Sequence, residues 1–187
     1  MEAFLVSITS VAVAEMGDRT QLLSLLLAAR FRRPWPILCG ILLATLASHT
    51  AAGVVGAFFG RALSPRVMDL IVGVSLLLMA LWTLKPDTLD EQDGPVRNTG
   101  VFAATFVAFF VAEIGDKTQI ATVALAAAYP NLVAVIAGTT CGMLLANAPV
   151  VFLGGTFARR LPLKAIHRGA ALLFAALGIL FIVRGLR

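Results

Sequence analysis

The chain has 187 residues, 59% of them hydrophobic and 13% charged, with a formal net charge of +5. A soluble domain of this size carries about a quarter charged residues, so a soluble enzyme or soluble binding module is excluded as a first reading. The basic excess fits Lys and Arg in the short loops of a membrane protein, and no nucleic-acid partner is called for.

The chain opens on MEAFLVS, with an acid and no basic leader region, which reads as a retained first helix. A span of about 20 apolar residues crosses a bilayer. The first such span is predicted over 3–29 and contains VAEMGDRTQLL at 13–23. RFRRP at 30–34 ends it, and a second span over 36–60 contains no charged side chain other than His49, if His49 is counted as one. SPR at 64–66 turns into a third span over 66–84. KPDTLDEQDGPVRNT at 85–99 is the one substantial polar loop, a solvated linker carrying Asp87, Asp90, Glu91 and Asp93. A fourth span over 99–128 contains VAEIGDKTQIA at 111–121. YPN at 129–131 leads to a fifth span over 131–156, where Asn147-Ala-Pro149 is expected to break the helix. RRLPLK at 159–164 precedes the sixth, over 165–184. Cys39 and Cys141 read as buried thiols, Asp69 and His167 as interfacial, and Trp35 and Trp82 as interfacial anchors.

The two quoted strings lie 98 residues apart (111 minus 13), and the offset persists beyond them. It carries Gly40 to Gly138, Arg61 to Arg159, Leu63 to Leu161, Arg66 to Lys164 and His49 to Asn147. The expected fold is therefore all-α and polytopic: six transmembrane helices as two three-helix repeats, 1–84 and 99–187, joined by a linker at 85–98. An odd number of spans per half inverts the second repeat, the arrangement that gives a transporter two related states. Arg30, Arg32, Arg33, Lys85, Arg97, Arg159, Arg160, Lys164 and Arg168 fall on one face, against Arg61, Arg66, Arg184 and Arg187 on the other. The excess of Lys and Arg marks the cytoplasmic side, which places the linker inside and both termini outside.

Carboxylates inside a bilayer cost about 2.5–3.5 kcal/mol each on insertion scales, so they persist by pairing, protonation or cation binding. On a continuous helix Glu15, Asp18 and Gln21 would share one slowly turning face, as would Glu113, Asp116 and Gln119. Gly17 and Gly115 permit close contact or local unwinding there. Four acids against Arg19 and Lys117 sum to minus two, the charge that one divalent cation balances. An oxygen-rich site of this kind suits calcium, magnesium or manganese. Glu15, Asp18, Gln21, Glu113, Asp116 and Gln119 are the candidate metal ligands. Arg19 and Lys117 are assigned to charge balance and gating. Thr20 and Thr118 add hydroxyls beside the acids, and His49 and Asn147 are candidate supporting or gating groups. A structural ion pair explains a single motif, but two matched copies favour a site. No catalytic residue and no cofactor are called for, since phosphate-loop, dinucleotide and zinc-protease signatures are absent.

EMGDRTQ at 15–21 and EIGDKTQ at 113–119 resemble the paired E-x-G-D-[KR]-[ST] motifs of a membrane family catalogued as uncharacterised protein family 0016. The resemblance spans essentially the whole chain. It implies divalent-cation export or exchange, with Glu15, Asp18, Glu113 and Asp116 as principal residues and Thr20, Gln21, Thr118 and Gln119 contributing. The short N-terminus is similar to bacterial manganese exporters, implying an inner-membrane protein that moves Mn²⁺, or Ca²⁺, against H⁺ or Na⁺. Transported ions and surrounding lipid are the implied partners. The rival readings are a six-span exporter of another small substrate such as an amino acid, a non-transporting assembly factor, and a channel.

Overall fold

The computed structural model describes residues 1–84, 100–153 and 163–187. Among the described residues there are eight helices and no strand: α1 (Glu2–Glu15), α2 (Arg19–Phe31), α3 (Pro34–Ala62), α4 (Pro65–Thr83), α5 (Val101–Glu113), α6 (Lys117–Ala128), α7 (Leu132–Leu153) and α8 (Leu163–Leu186). Pro34 and Pro65 open α3 and α4, where a missing N–H costs nothing and φ is pre-set. Arg32 closes α2 in the left-handed conformation, its N–H donating to Ala28 O. Among the described residues, four helices are long and apolar enough to cross a membrane: α3, α4, α7 and the Ala165–Leu186 stretch of α8.

Two expectations are corrected here. The spans predicted over 3–29 and 99–128 are not continuous helices, because each is split into two half-helices at its motif, α1–α2 and α5–α6. Conversely, α7 runs unbroken through Asn147 and Pro149. Pro149 withholds the N–H that would donate to Leu145 O, yet the chain stays helical on both sides of it. The linker at 85–99, and Arg159, Arg160 and Leu161, lie outside the described residues.

The helices are polar inward and apolar outward. Along α3, Leu42, Leu43, Leu46, Val54, Val55 and Phe58 are exposed, whereas Thr45, Ser48 and His49 are buried. This pattern suits a hydrocarbon solvent, in which small and polar residues hold helices together. The main pairings interlock the two halves: α1 packs on α7, α5 on α3, and α4 on α8. Close approach fixes the register of the first two pairs. A Cβ on Gly40 would stand 2.7 Å from Thr105 Cβ and 3.0 Å from Phe102 O. One on Gly138 would stand 2.8 Å from Ser7 Cβ and 2.7 Å from Phe4 O. Each of these partners is related to its counterpart by the same offset of 98 (105 minus 7, 102 minus 4, 138 minus 40).

Of the residues read outside the motifs, the cysteines differ from expectation. Asp69 is buried in the protein, and its Oδ2 meets Arg184 Nε at 3.1 Å, an ion pair between α4 and α8. His167 is buried as well. Cys39 is exposed on the apolar outer surface and Cys141 is partly exposed, and both are free thiols rather than core residues. Trp35 and Trp82 are exposed near helix ends, as anchors would be.

Candidate metal-binding site

Each motif is a turn between two half-helices. Glu15 O accepts from Asp18 N at 3.0 Å, Met16 has φ −64° and ψ 117°, and Gly17 has φ 82°. In the second motif Glu113 O accepts from Asp116 N at 3.1 Å, Ile114 has φ −63° and ψ 116°, and Gly115 has φ 74°. These are type II turns, which require positive φ at the third position and therefore glycine. Asp18 and Asp116 are thus the N-cap residues of α2 and α6, while Glu15 and Glu113 end α1 and α5. The expectation that each acid pair lies along one helix face is overturned by this turn. The acids flank a break, where free helix ends come close to them.

The glutamines brace the turns. Gln21 Oε1 accepts from Gly17 N at 2.8 Å, and Gln119 Oε1 accepts from Gly115 N at 2.9 Å. Their amides reach across to the other half: Gln21 Nε2 donates to Ala146 O at 2.9 Å and Gln119 Nε2 to Ser48 Oγ at 3.0 Å. Both glutamines are engaged at both ends in this conformation.

The bases are exchanged between motifs. Lys117 Nζ pairs with Asp18 Oδ1, and Arg19 Nε lies 3.7 Å from Asp116 Oδ1. Lys117 is 1% exposed and Asp18 0%, so this pair sits deep in the protein. Arg19 also donates from Nη2 to Ala112 O near the end of α5, where the helix dipole favours a cation. Asp116 additionally accepts from Thr118 Oγ1 at 3.0 Å. Thr20 is fully buried beside Asp18 in sequence, and its Oγ1 has no hydrogen-bond partner among the described residues.

Three of the four acids converge. One carboxylate oxygen from each of Glu15, Asp18 and Asp116 lies within 4.8 Å of the others. Two oxygens on opposite sides of a calcium ion stand about 4.6–5.2 Å apart, twice the metal–oxygen distance, so this spacing fits a hard divalent cation. Glu113 is not part of the triad. Its Oε1 accepts from Thr45 Oγ1 of α3 at 2.5 Å. Neither Glu15 oxygen has a hydrogen-bond partner among the described residues.

The remaining candidates fall outside this centre in different ways. Asn147 Oδ1 accepts from Ser24 Oγ at 2.6 Å, tying α7 to α2. Its counterpart His49 is fully buried, and neither ring nitrogen has a partner among the described residues. Thr122, the counterpart of Ser24, instead turns back to Thr118 O. Sequence reasoning missed Thr45 and Ser48. Their signal was available: with His49 they form a polar i, i+3, i+4 cluster inside a span otherwise devoid of charge.

Cavities open at matched places on the bundle. One of about 330 Å³ is bordered by Ala126, Ala127 and Leu132, and one of about 390 Å³ by Ala28, Ala29 and Pro34, each position offset by 98 from its counterpart.

The chain matches the family described as the divalent cation/proton antiporter GDT1 over residues 3–91 and 101–187, both motifs included. The chain belongs to the GDT1 family. It is thus a member of a family of membrane transporters rather than enzymes, and the resemblance drawn from the motifs is borne out. It is 50% identical over 180 residues, 96% of its length and 90% of the relative's, to a protein of Vibrio cholerae serotype O1 named as a candidate manganese exporter. It is 31% identical to a GDT1-like protein of Synechocystis, covering 93% of each chain. A chloroplastic GDT1-like protein of Oryza sativa subsp. indica is 31% identical over 91% of this chain but 59% of its own length. No solved structure matches.

Proposed function

We propose that this GDT1-family chain exports divalent cations, Mn²⁺ first and Ca²⁺ second, from the cytoplasm across the bacterial inner membrane in exchange for protons. The observation that carries the proposal is the buried triad of Glu15, Asp18 and Asp116, assembled from both motifs with its bases crossed between them. Family membership and the manganese named for the Vibrio relative support the choice of ion.

In this reading each half contributes three spans, the first of them broken: α1–α2, α3 and α4, then α5–α6, α7 and α8. The reciprocal contacts at an offset of 98 support a two-fold relation between halves. The odd span number inverts one against the other, with both termini outside. A cytoplasmic cation enters the triad and takes over the negative charge that Lys117 and Arg19 balance in its absence. Their release from Asp18 and Asp116 loosens the two cross-links that hold the motifs together. The halves then rearrange, the cation leaves outward, and protons neutralise the carboxylates for the return. Proton and metal compete for the same oxygens, which is the source of coupling. Glu113, Thr20, Thr118, Gln21 and Gln119 complete or brace the shell as the geometry changes. His49 on α3 and Asn147 on α7 serve as supporting groups.

Flux of Mn²⁺ and Ca²⁺ into proteoliposomes under an imposed proton gradient, beside a Glu15→Gln/Glu113→Gln double variant, tests this. Gradient-driven manganese flux lost in the variant is the expected result. A sodium gradient driving flux where protons do not would replace the coupling ion. Folded wild-type protein carrying no divalent cation under either gradient would overturn the proposal.

A further inference from the structure

We propose that Met143 is a specificity-determining residue whose thioether stands beside Glu15 and favours manganese over calcium in the cation site. The inference rests on the divalent-transport reading above and deepens it.

The placement follows from register. Gly40 of α3 abuts Phe102 and Thr105 of α5, and Gly138 of α7 abuts Phe4 and Ser7 of α1. Further along, Ser48 of α3 receives Gln119, and Ala146 of α7 receives Gln21. All these contacts repeat at the offset of 98. Thr45 lies between the two anchor points on α3, and Met143 lies between the two on α7. Thr45 Oγ1 donates to Glu113 Oε1 at 2.5 Å. The same register brings Met143 to Glu15, and methionine has no hydroxyl to give.

Four observations agree with this. Glu15 is fully buried, yet neither of its oxygens has a hydrogen-bond partner among the described residues. Met143 is also fully buried, so its sulfur is not spent on an exposed surface. Its Sδ accepts from Asn147 Nδ2 at 3.2 Å, and Asn147 is itself held by Ser24, which fixes the thioether. The carboxylate triad includes Glu15 and leaves out Glu113, which Thr45 holds.

The chemistry separates the ions. Calcium takes an all-oxygen shell and gains nothing from sulfur. A thioether is a soft donor that suits transition metals better than alkaline-earth ions, and manganese, at the weak end of the first-row series, gains less from it than later metals do. A hydroxyl at this position, as in the other half, would not discriminate. Packing alone is the competing account of Met143, and it predicts no change in ion preference when sulfur is replaced at constant volume.

The experiment measures Mn²⁺ affinity of the purified full chain by the electron-paramagnetic signal of free Mn²⁺, and Ca²⁺ affinity by competition. The variants are Met143→Leu, which keeps shape and removes sulfur, and Met143→Thr, which copies Thr45. The expected result is a loss of about tenfold in Mn²⁺ affinity in both, the range seen when groups around a metal are altered, with Ca²⁺ affinity unchanged in the leucine variant. An unchanged Mn²⁺:Ca²⁺ ratio in the leucine variant overturns the proposal, and this arm decides alone if the threonine variant does not fold. Wild-type protein that binds neither ion overturns the transport reading and this inference with it. Binding with an unaltered ratio removes the inference only.

Discussion

The two motif regions share a backbone but not an electrostatic environment. Around Glu15–Gln21 and Glu113–Gln119 the turns, the glutamine braces and the crossed bases coincide residue for residue. The side chains meeting the turns do not. Lys117 is buried to 1% exposure, whereas the side chain of Arg19 is 28% exposed. Glu113 is held by a hydroxyl, and Glu15 is not. Asn147 bonds Ser24, while His49 has no such partner among the described residues. Repeated geometry gives the protein two equivalent turns, and unequal surroundings set the acids of one apart from those of the other.

The strongest way to break the likeness is to remove the bases one at a time. Lys117→Gln leaves Asp18 buried without its ion pair and costs about 3–5 kcal/mol of stability. Arg19→Gln acts on a longer, partly solvated pair and costs about 1 kcal/mol or less. Chemical denaturation in detergent checks both, and equal losses would contradict the unequal burial. Next come the glutamates. Glu15→Gln lowers Mn²⁺ affinity by about 100-fold, the upper end of losses around a metal, and Glu113→Gln by about tenfold, because Thr45 already holds that carboxylate. Calorimetric titration of both variants that gave equal losses would make the two halves functionally equivalent. The glycines sharpen the comparison from the other side. Gly17→Ala and Gly115→Ala each force a side chain into positive φ and cost about 1–2 kcal/mol, with the smaller melting shift at Gly115, where a Cβ meets open space, than at the buried Gly17. Smallest is Thr45→Val, which removes one hydrogen bond and lowers stability by about 1 kcal/mol, without touching the Glu15 half. A loss in manganese affinity as large as that of Glu15→Gln would place Glu113 in the primary site after all.

Much of this was legible before any coordinates. The offset of 98 predicted which residues correspond, and intramembrane carboxylates marked the site because burial makes them costly. The glycine between each acid pair hinted at close contact or local unwinding, and the structure uses it for the positive φ of a turn. A continuous apolar stretch nonetheless reads as one span, which is why the breaks at Gly17 and Gly115 were not placed. The pairing of Lys117 with Asp18 was not legible, because it joins groups 99 positions apart (117 minus 18) through packing alone. The ion pair of Asp69 was not legible for the same reason: its partner Arg184 lies on the last helix. Proline at 149 suggested a break that α7 does not make: the ring costs one N–H donor, and the helix continues through it.

The interlocking of the halves also sets an order of manufacture. Helix α1 rests on α7, and Asp18 rests on Lys117, so the first motif is made well before anything that stabilises it. At about 5–20 residues per second, the chain takes roughly 5–20 s to extend from Asp18 to Lys117. For that interval the nascent first span holds its acids in the membrane without their partners. The insertion machinery must hold a half-built molecule, because neither half is a finished unit before the other arrives.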